Sequence, residues 1–193
     1  MKKVIGFIKK YWVLLIIILA VTLYIVNLFL RGSQSNGTPT PTPNNKVATF
    51  GSLTPGTSST TDVTNTLGRP IETKTVNGEV VSQYKSTNQY RFHEVVFTND
   101  TAKLIKEIVN TNDKINSDFI TNTYGVASNI LYEQLANSTF NLYVYPANGI
   151  AYLGHTDGTV LEIWYFEPTT IDKFITDWGQ GYSNTPFTDT NTQ

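Results

Sequence analysis

Apolar residues follow three different patterns along this chain. Between Tyr11 and Leu30 they form an almost unbroken run of twenty residues without a charge. From Thr73 to Val109, and again from Ile130 to Phe166, they alternate with polar residues in short stretches. Ahead of each alternating region, and once more after the second, they recur three or four residues apart. These patterns predict a bilayer-spanning helix, half-buried strands and short amphipathic helices, in that order of kind.

The long run fits a membrane closely. Twenty helical residues span about 30 Å, the thickness of a hydrocarbon core. Tyr11 and Trp12 sit at one edge, where amphipathic rings favour the headgroup layer. Lys2, Lys3, Lys9 and Lys10 precede the run and Arg31 follows it, which places residues 1–10 in the cytoplasm and the remainder outside. A cleaved signal peptide is the rival reading. Its apolar region is normally about 7 to 15 residues long and ends in small residues, whereas this one ends in Asn27-Leu28-Phe29-Leu30-Arg31. A lipid-anchored N-terminus would need a cysteine, and the chain has none. Gly6-Phe7 has the look of a pilin cleavage site, but Tyr11 stands where that site requires an acid.

Residues 31–46 contain the stretch Thr38-Pro39-Thr40-Pro41-Thr42-Pro43, which favours extended polyproline conformations and has nothing to bury. A spacer of this kind reaches at most about 40 Å. Residues 47–183 then suffice for one ordinary core. Ser59 with Asp62 three residues on reads as a capping box opening a helix at Thr60–Leu67, which Gly68 and Pro70 would end. Asn77-Gly78 and Asn99-Asp100 read as hairpin turns. They separate strands expected at Thr73–Val76, Glu79–Lys85, Tyr90–Thr98 and Thr101–Val109, the last of which also fits a helical stripe.

The order then starts again. Thr64-Asn65-Thr66-Leu67-Gly68 recurs as Thr121-Asn122-Thr123-Tyr124-Gly125, and strands follow at Ile130–Leu135, Thr139–Tyr145, Ile150–Gly154 and Thr159–Phe166. Coincidence is the competing account, because 47 of the 193 residues are Thr or Asn. The shared element order favours two tandem helix-plus-meander repeats, at 51–110 and 115–168. A C-terminal helix at 170–178 would present Ile171, Phe174, Ile175 and Trp178 on one face, and residues 184–193 form a polar tail. The fold class expected is therefore α+β: a transmembrane helix, then an antiparallel sheet with short helices.

Charge is unevenly divided. Beyond the spacer lie fifteen acidic and eight basic residues, a net charge of −7, whereas the whole chain carries −1. An outer domain with that surface repels nucleic acid and anionic headgroups. Without cysteine it folds with no disulfide or thiolate-metal support. Asn36, Asn99 and Asn137 begin glycosylation sequons, which chance explains in a chain so rich in Asn and Thr.

The segment Pro55-Gly56, Ser58, Asp62-Val63, Leu67-Gly68, Pro70 resembles the opening of the SmpA/OmlA (BamE-type) fold, and a tandem copy of that unit resembles the β-lactamase-inhibitor-protein-like architecture. The resemblance implies helices on one face of an antiparallel sheet, protein partners on the other face or the loops, and no enzymatic activity. The chain departs from it in three places. The anchor is apolar and not lipidated, one extra residue separates Gly56 from Val63, and Ala127 stands where the second copy would carry proline.

Candidate chemistry is sparse. His93 and His155, with Glu94 or Asp157, could ligate zinc or act as acid and base, but no metal-ligand spacing supports them, and no serine elbow or phosphate loop occurs. An ordinary histidine role is the simpler reading of both. Strand alternation could instead display Tyr143, Tyr145 and Trp164 or Tyr165 as a rigid aromatic patch for protein or glycan; the competing reading makes these rings core. The expected function is a single-pass, membrane-anchored extracytoplasmic binding module of the cell envelope, with no cofactor or metal, a protein partner and no nucleic acid. The alternatives are a cell-surface hydrolase or metal-dependent enzyme using His93 or His155, and a structural subunit whose span contacts a partner through Thr22 and Asn27.

Overall fold

A computed structural model describes residues 46–113, 115–135 and 138–187. The expected span at 11–30, the cytoplasmic segment before it and the spacer up to residue 45 lie outside the described residues. Among those described, no helix is long and apolar enough to cross a membrane.

The first helix, α1 (Thr60–Leu67), opens with the capping box that the sequence predicts. The Ser59 hydroxyl accepts from the Asp62 N–H at 3.2 Å, while the Asp62 carboxylate accepts the Ser59 N–H at 2.8 Å. The Ser59 N–H and the Ser59 hydroxyl, which itself donates to the carboxylate at 2.7 Å, hold the Asp62 carboxyl below the usual range. Gly68, at φ 85°, ends the helix and returns its N–H to the Thr64 carbonyl. Four strands follow: β1 (Glu72–Val76), β2 (Glu79–Tyr84), β3 (His93–Thr98) and β4 (Thr101–Ile108). Both predicted hairpin turns form, with Asn77 and Gly78, then Asn99 and Asp100, at positive φ as a type I′ turn requires.

The strand expected from Tyr90 starts three residues late. The Asn88 side chain accepts the N–H groups of Tyr90 and Arg91, and Ser86 donates to the Arg91 carbonyl. Those local bonds take the segment out of the ladder. The ambiguous stretch from Thr101 is a strand, because its pairing with β3 competes successfully with its helical stripe.

The second half comprises α2 (Ser117–Tyr124), β5 (Asn129–Glu133), β6 (Phe140–Tyr145), β7 (Ile150–His155) and β8 (Val160–Phe166). Then come α3 (Ile171–Asp177), capped by Thr170, and the two-residue β9 (Tyr182–Ser183). All nine strands form one antiparallel sheet in the order β1-β2-β3-β4-β8-β7-β6-β5-β9. The architecture is α+β.

Three layers result. On one face of the sheet Val63 of α1 and Ile120 of α2 pack among Val95, Phe97, Tyr145, Tyr152, Ile163 and Tyr165. On the other, Phe174 of α3 packs among Val96, Leu104, Leu142, Val144, Trp164 and Phe166. Burial of each large side chain contributes about 1.5–3 kcal/mol.

The two halves correspond in detail. Helices α1 and α2 are equal in length, begin at Thr60 and Ser117, and end at glycines with φ 85°. The offset between those first residues is the one that separates the Thr64 and Thr121 motifs, and it recurs from β1 to β5 and from β3 to β7. A bulge interrupts β3–β4 pairing at Val96/Phe97 and β7–β8 pairing at Leu153/Gly154, again at that offset, leaving Lys103 and Leu161 as the extra residues. Counting from the bulges makes Lys106 the counterpart of Trp164, and these two pair with each other where β4 meets β8. The seam therefore has an approximate two-fold axis through that pair. Tyr84 and Tyr145, at the ends of β2 and β6, are also alike: each is buried, and burial raises the pKa of each hydroxyl.

Candidate partner-binding face

The helix-bearing halves are alike on the α1/α2 face and differ on the other. There α3 lies over the second half through Ile171, Phe174, Ile175 and Trp178, the stripe its sequence predicts, and β9 extends the sheet beside β5. No corresponding helix is present over β1 and β2 among the described residues. Among the described residues the α3-side face is therefore covered across the second half and at Val96 and Leu104 of β3 and β4, and open over β1 and β2.

A polar network lies where cover gives way to open sheet. Lys106 on β4 approaches Glu94 on β3 at 3.3 Å and sits 4.5 Å above the Trp164 ring. The Trp164 indole N–H donates to Glu162 at 2.8 Å, and Glu162 also pairs with Arg91. Strands β3, β4 and β8 thus align an acid, a base and an aromatic ring in one row, and cation–π attraction fixes the base over the ring. Tyr182 stands edge-on to Trp164 with centroids 6.3 Å apart. Burial pushes its hydroxyl up to about 12, with Glu133 and Glu162 adding to the shift.

Toward the Asn99-Asp100 turn from this row, a groove of about 550 Å³ runs between the sheet and α3. Glu79, Thr98 and Lys103 form its sheet wall; Glu167, Lys173 and Trp178 face them. Thr98 donates to Glu79 at 3.2 Å, and Lys173 pairs with Asp177 at 2.7 Å. Lys103 is the extra residue of the bulge and has no ion pair or hydrogen bond from its ammonium among the described residues. Its counterpart Leu161 is apolar, so the cation is peculiar to the open half.

The four aromatic candidates do not form one surface. Tyr145 and Tyr165, at 3% and 8% exposure, belong to the core under α1 and α2, while Trp164, at 5%, belongs to the core under α3. Tyr143 is half-buried on the α2 side, stacked 4.6 Å from Tyr152. Helices on both faces convert the expected display into core, which corrects the patch reading. Tyr165 donates to Glu107 at 2.6 Å, and burial raises the Glu107 carboxyl.

The histidines are not brought together. His93 rests on Phe50 at 5.4 Å on the α1/α2 side, and its Nδ1 accepts the Ile108 N–H at 3.0 Å. Burial lowers its pKa, partly offset by Asp113. His155 lies beside Phe140 at 5.3 Å, on the face that Leu142 and Val144 share with α3. Strands β3 and β7 are three intervals apart, roughly 14 Å. Glu94 follows His93 on the strand and points to the opposite face, where it meets Lys106. Asp157 accepts the Thr159 N–H at 2.8 Å and gives its own N–H to His155, bonds that make a turn. Among the described residues no three His, Cys, Asp or Glu side chains could hold a metal ion.

The residues that sequence reasoning missed are Arg91, Lys103, Lys106 and Glu162. Without the bulge, a two-residue turn at Asn99-Asp100 would set Glu94 opposite Ile105; the bulge moves Lys106 into that place.

No protein-family model and no curated protein matches the chain. Two solved structures are similar to it in part. A DUF4309 family protein from Bacillus subtilis is 15% identical with a TM-score of 0.43, over 60% of this chain and 83% of that one. A cysteine-rich secretory protein from Staphylococcus aureus is 16% identical with a TM-score of 0.44, over 77% of this chain and 55% of that one. Neither likeness carries a functional argument.

Proposed function

We propose that the chain is a membrane-tethered, extracytoplasmic binding module that arose by internal duplication and holds a protein partner of the cell envelope on the open half of its α3-side face. The observation that carries the reading is the asymmetry of two otherwise matching halves. One is covered by α3, and the other keeps a groove walled by Lys103, with Lys173 of α3 and Trp178 at its end facing it. Trp178, only partly buried and lining the groove with Lys173 and Asp177, is an aromatic ring among charges of both signs, which suits a protein surface with the ring as anchor and the charges setting register. The resemblance to SmpA/OmlA-type and inhibitor-like repeats supports a binding role of this style, and the apolar run at Tyr11–Leu30 supports the tether.

A photo-crosslinking amino acid in place of Lys173, in the full chain in intact cells, should capture one protein reproducibly. Adding Lys103→Glu should lower capture at least about tenfold, since a reversed charge in a desolvated contact costs more than about 1.4 kcal/mol. Equal capture with Lys103→Glu, or capture of glycan alone, would refute a protein site in this groove.

A further inference from the structure

We infer that the free edge of β1 pairs with the same edge of a second copy of this chain, forming an antiparallel dimer centred on Thr73. The two ends of the sheet are treated differently. At one, β9 pairs with Tyr132 and Glu133 of β5. At the other, all five residues of β1 are exposed, with no proline or bulge to interrupt them. An open strand of this kind presents unpaired N–H and C=O groups.

Two observations select a copy of the same chain as occupant. The first is hydrogen-bond phase. The two-residue turn makes Val76 and Glu79 a bonded pair, and bonded pairs alternate along an antiparallel ladder, so Lys74 and Glu72 face β2 with their backbone groups. Thr73 and Thr75 then turn their N–H and C=O outward. A two-fold axis at Thr73 lets its N–H and C=O bond reciprocally to Thr73 of the second copy, as an antiparallel pair requires.

The second is charge. With that axis, Glu72 of each copy falls opposite Lys74 of the other, giving two opposite-charge pairs across the new seam. Neither side chain has an ion pair within the chain among the described residues. A lysine on an edge strand ordinarily discourages pairing; a glutamate two residues before it makes the strand complementary to its own antiparallel copy. Shifting the axis to Thr75 would set Lys74 against Val76 and lose both pairs, so the charges also fix the register.

The absence of cysteine makes the test direct. Thr73→Cys in the full chain places the two thiols on residues about 5.5 Å apart between Cα atoms. Val76→Cys places them about 20 Å apart. A short bis-maleimide should therefore crosslink the first variant to a dimer and not the second. Glu72→Lys or Lys74→Glu, added to Thr73→Cys, should lower the dimer yield about tenfold or more, and the two together should restore it. Since β1 is exposed, thermal denaturation should show each variant folded as the parent is. No dimer from a folded Thr73→Cys chain, equal crosslinking at residue 76, failure of the double reversal to restore the yield, or crosslinking to a different protein would each overturn the inference. Those results would leave the groove reading untouched.

Discussion

At matching places in the two halves, the same core volume is filled from different residues. In the first half, Val95 and Phe97 point toward α1 and are buried at 0% and 3% exposure. The corresponding positions of the second half hold Tyr152 and Gly154. A Cβ on Gly154 would meet Tyr152 Cε2 at 2.9 Å, so the tyrosine ring occupies the room that Phe97 uses in the other half. The backbone correspondence survives because the pair of positions, and not either one, carries the aromatic ring. Packing constrains total volume more tightly than its source.

The largest expected effect tests the asymmetry between covered and open faces. Phe174→Ala removes a fully buried ring from under α3 and should cost about 3–5 kcal/mol in denaturant unfolding. Val81→Ala, on the same face of the open half and only partly buried, should cost no more than about 1 kcal/mol. Similar losses would mean that something else covers the first half.

A smaller effect tests the volume exchange. Gly154→Phe alone should destabilise by about 3 kcal/mol through the clash with Tyr152 and the Thr159 carbonyl. Combined with Tyr152→Val it should recover at least half of that loss, because the pair then reads as Val95 and Phe97 do. Additive losses in the double variant would show that the halves are not interchangeable there.

The smallest effect concerns His93, whose counterpart is Ile150. Burial depresses the histidine's folded-state pKa below 6.5, so the unfolded chain binds the extra proton first. The neutral form's contribution is therefore intact above pH 6.5 and declines as pH falls from there through the folded value. Melting temperatures measured across that window should fall less steeply for His93→Ile than for the parent, and parallel profiles would exclude His93 as a source of the slope.

Much of this architecture is legible in local sequence. The Ser59–Asp62 box, the Asn77-Gly78 and Asn99-Asp100 turns and the stripe on α3 are decided by residues within a few positions of one another, and each forms where expected. The candidate face was not legible for the same reason in reverse. Whether Trp164 is displayed or buried depends on α3 crossing its strand, and whether Lys106 meets Glu94 depends on a bulge set by pairing across the ladder. Period-2 alternation assigns Tyr143 and Tyr145 to one side correctly, but it is silent on what lies there. Val160 breaks the alternation outright, joining the α1/α2-side core with Ile163 because Leu161 is the extra residue.

The seam at Lys106 and Trp164 has a consequence for the order of assembly. Every other pairing among β1 to β8 joins strands that are neighbours in sequence, whereas β4 and β8 are the last strands of the two halves and pair residues far apart in sequence, as Leu104 with Phe166. Loop-closure entropy favours forming the two meanders first and joining them last. Because the seam brings each half's last strand against its counterpart, two first halves meeting there would set Lys106 opposite Lys106 in place of Trp164, and like charges directly opposite are destabilising. The pair that closes the sheet therefore also favours the chain's own second half over a copy of its first.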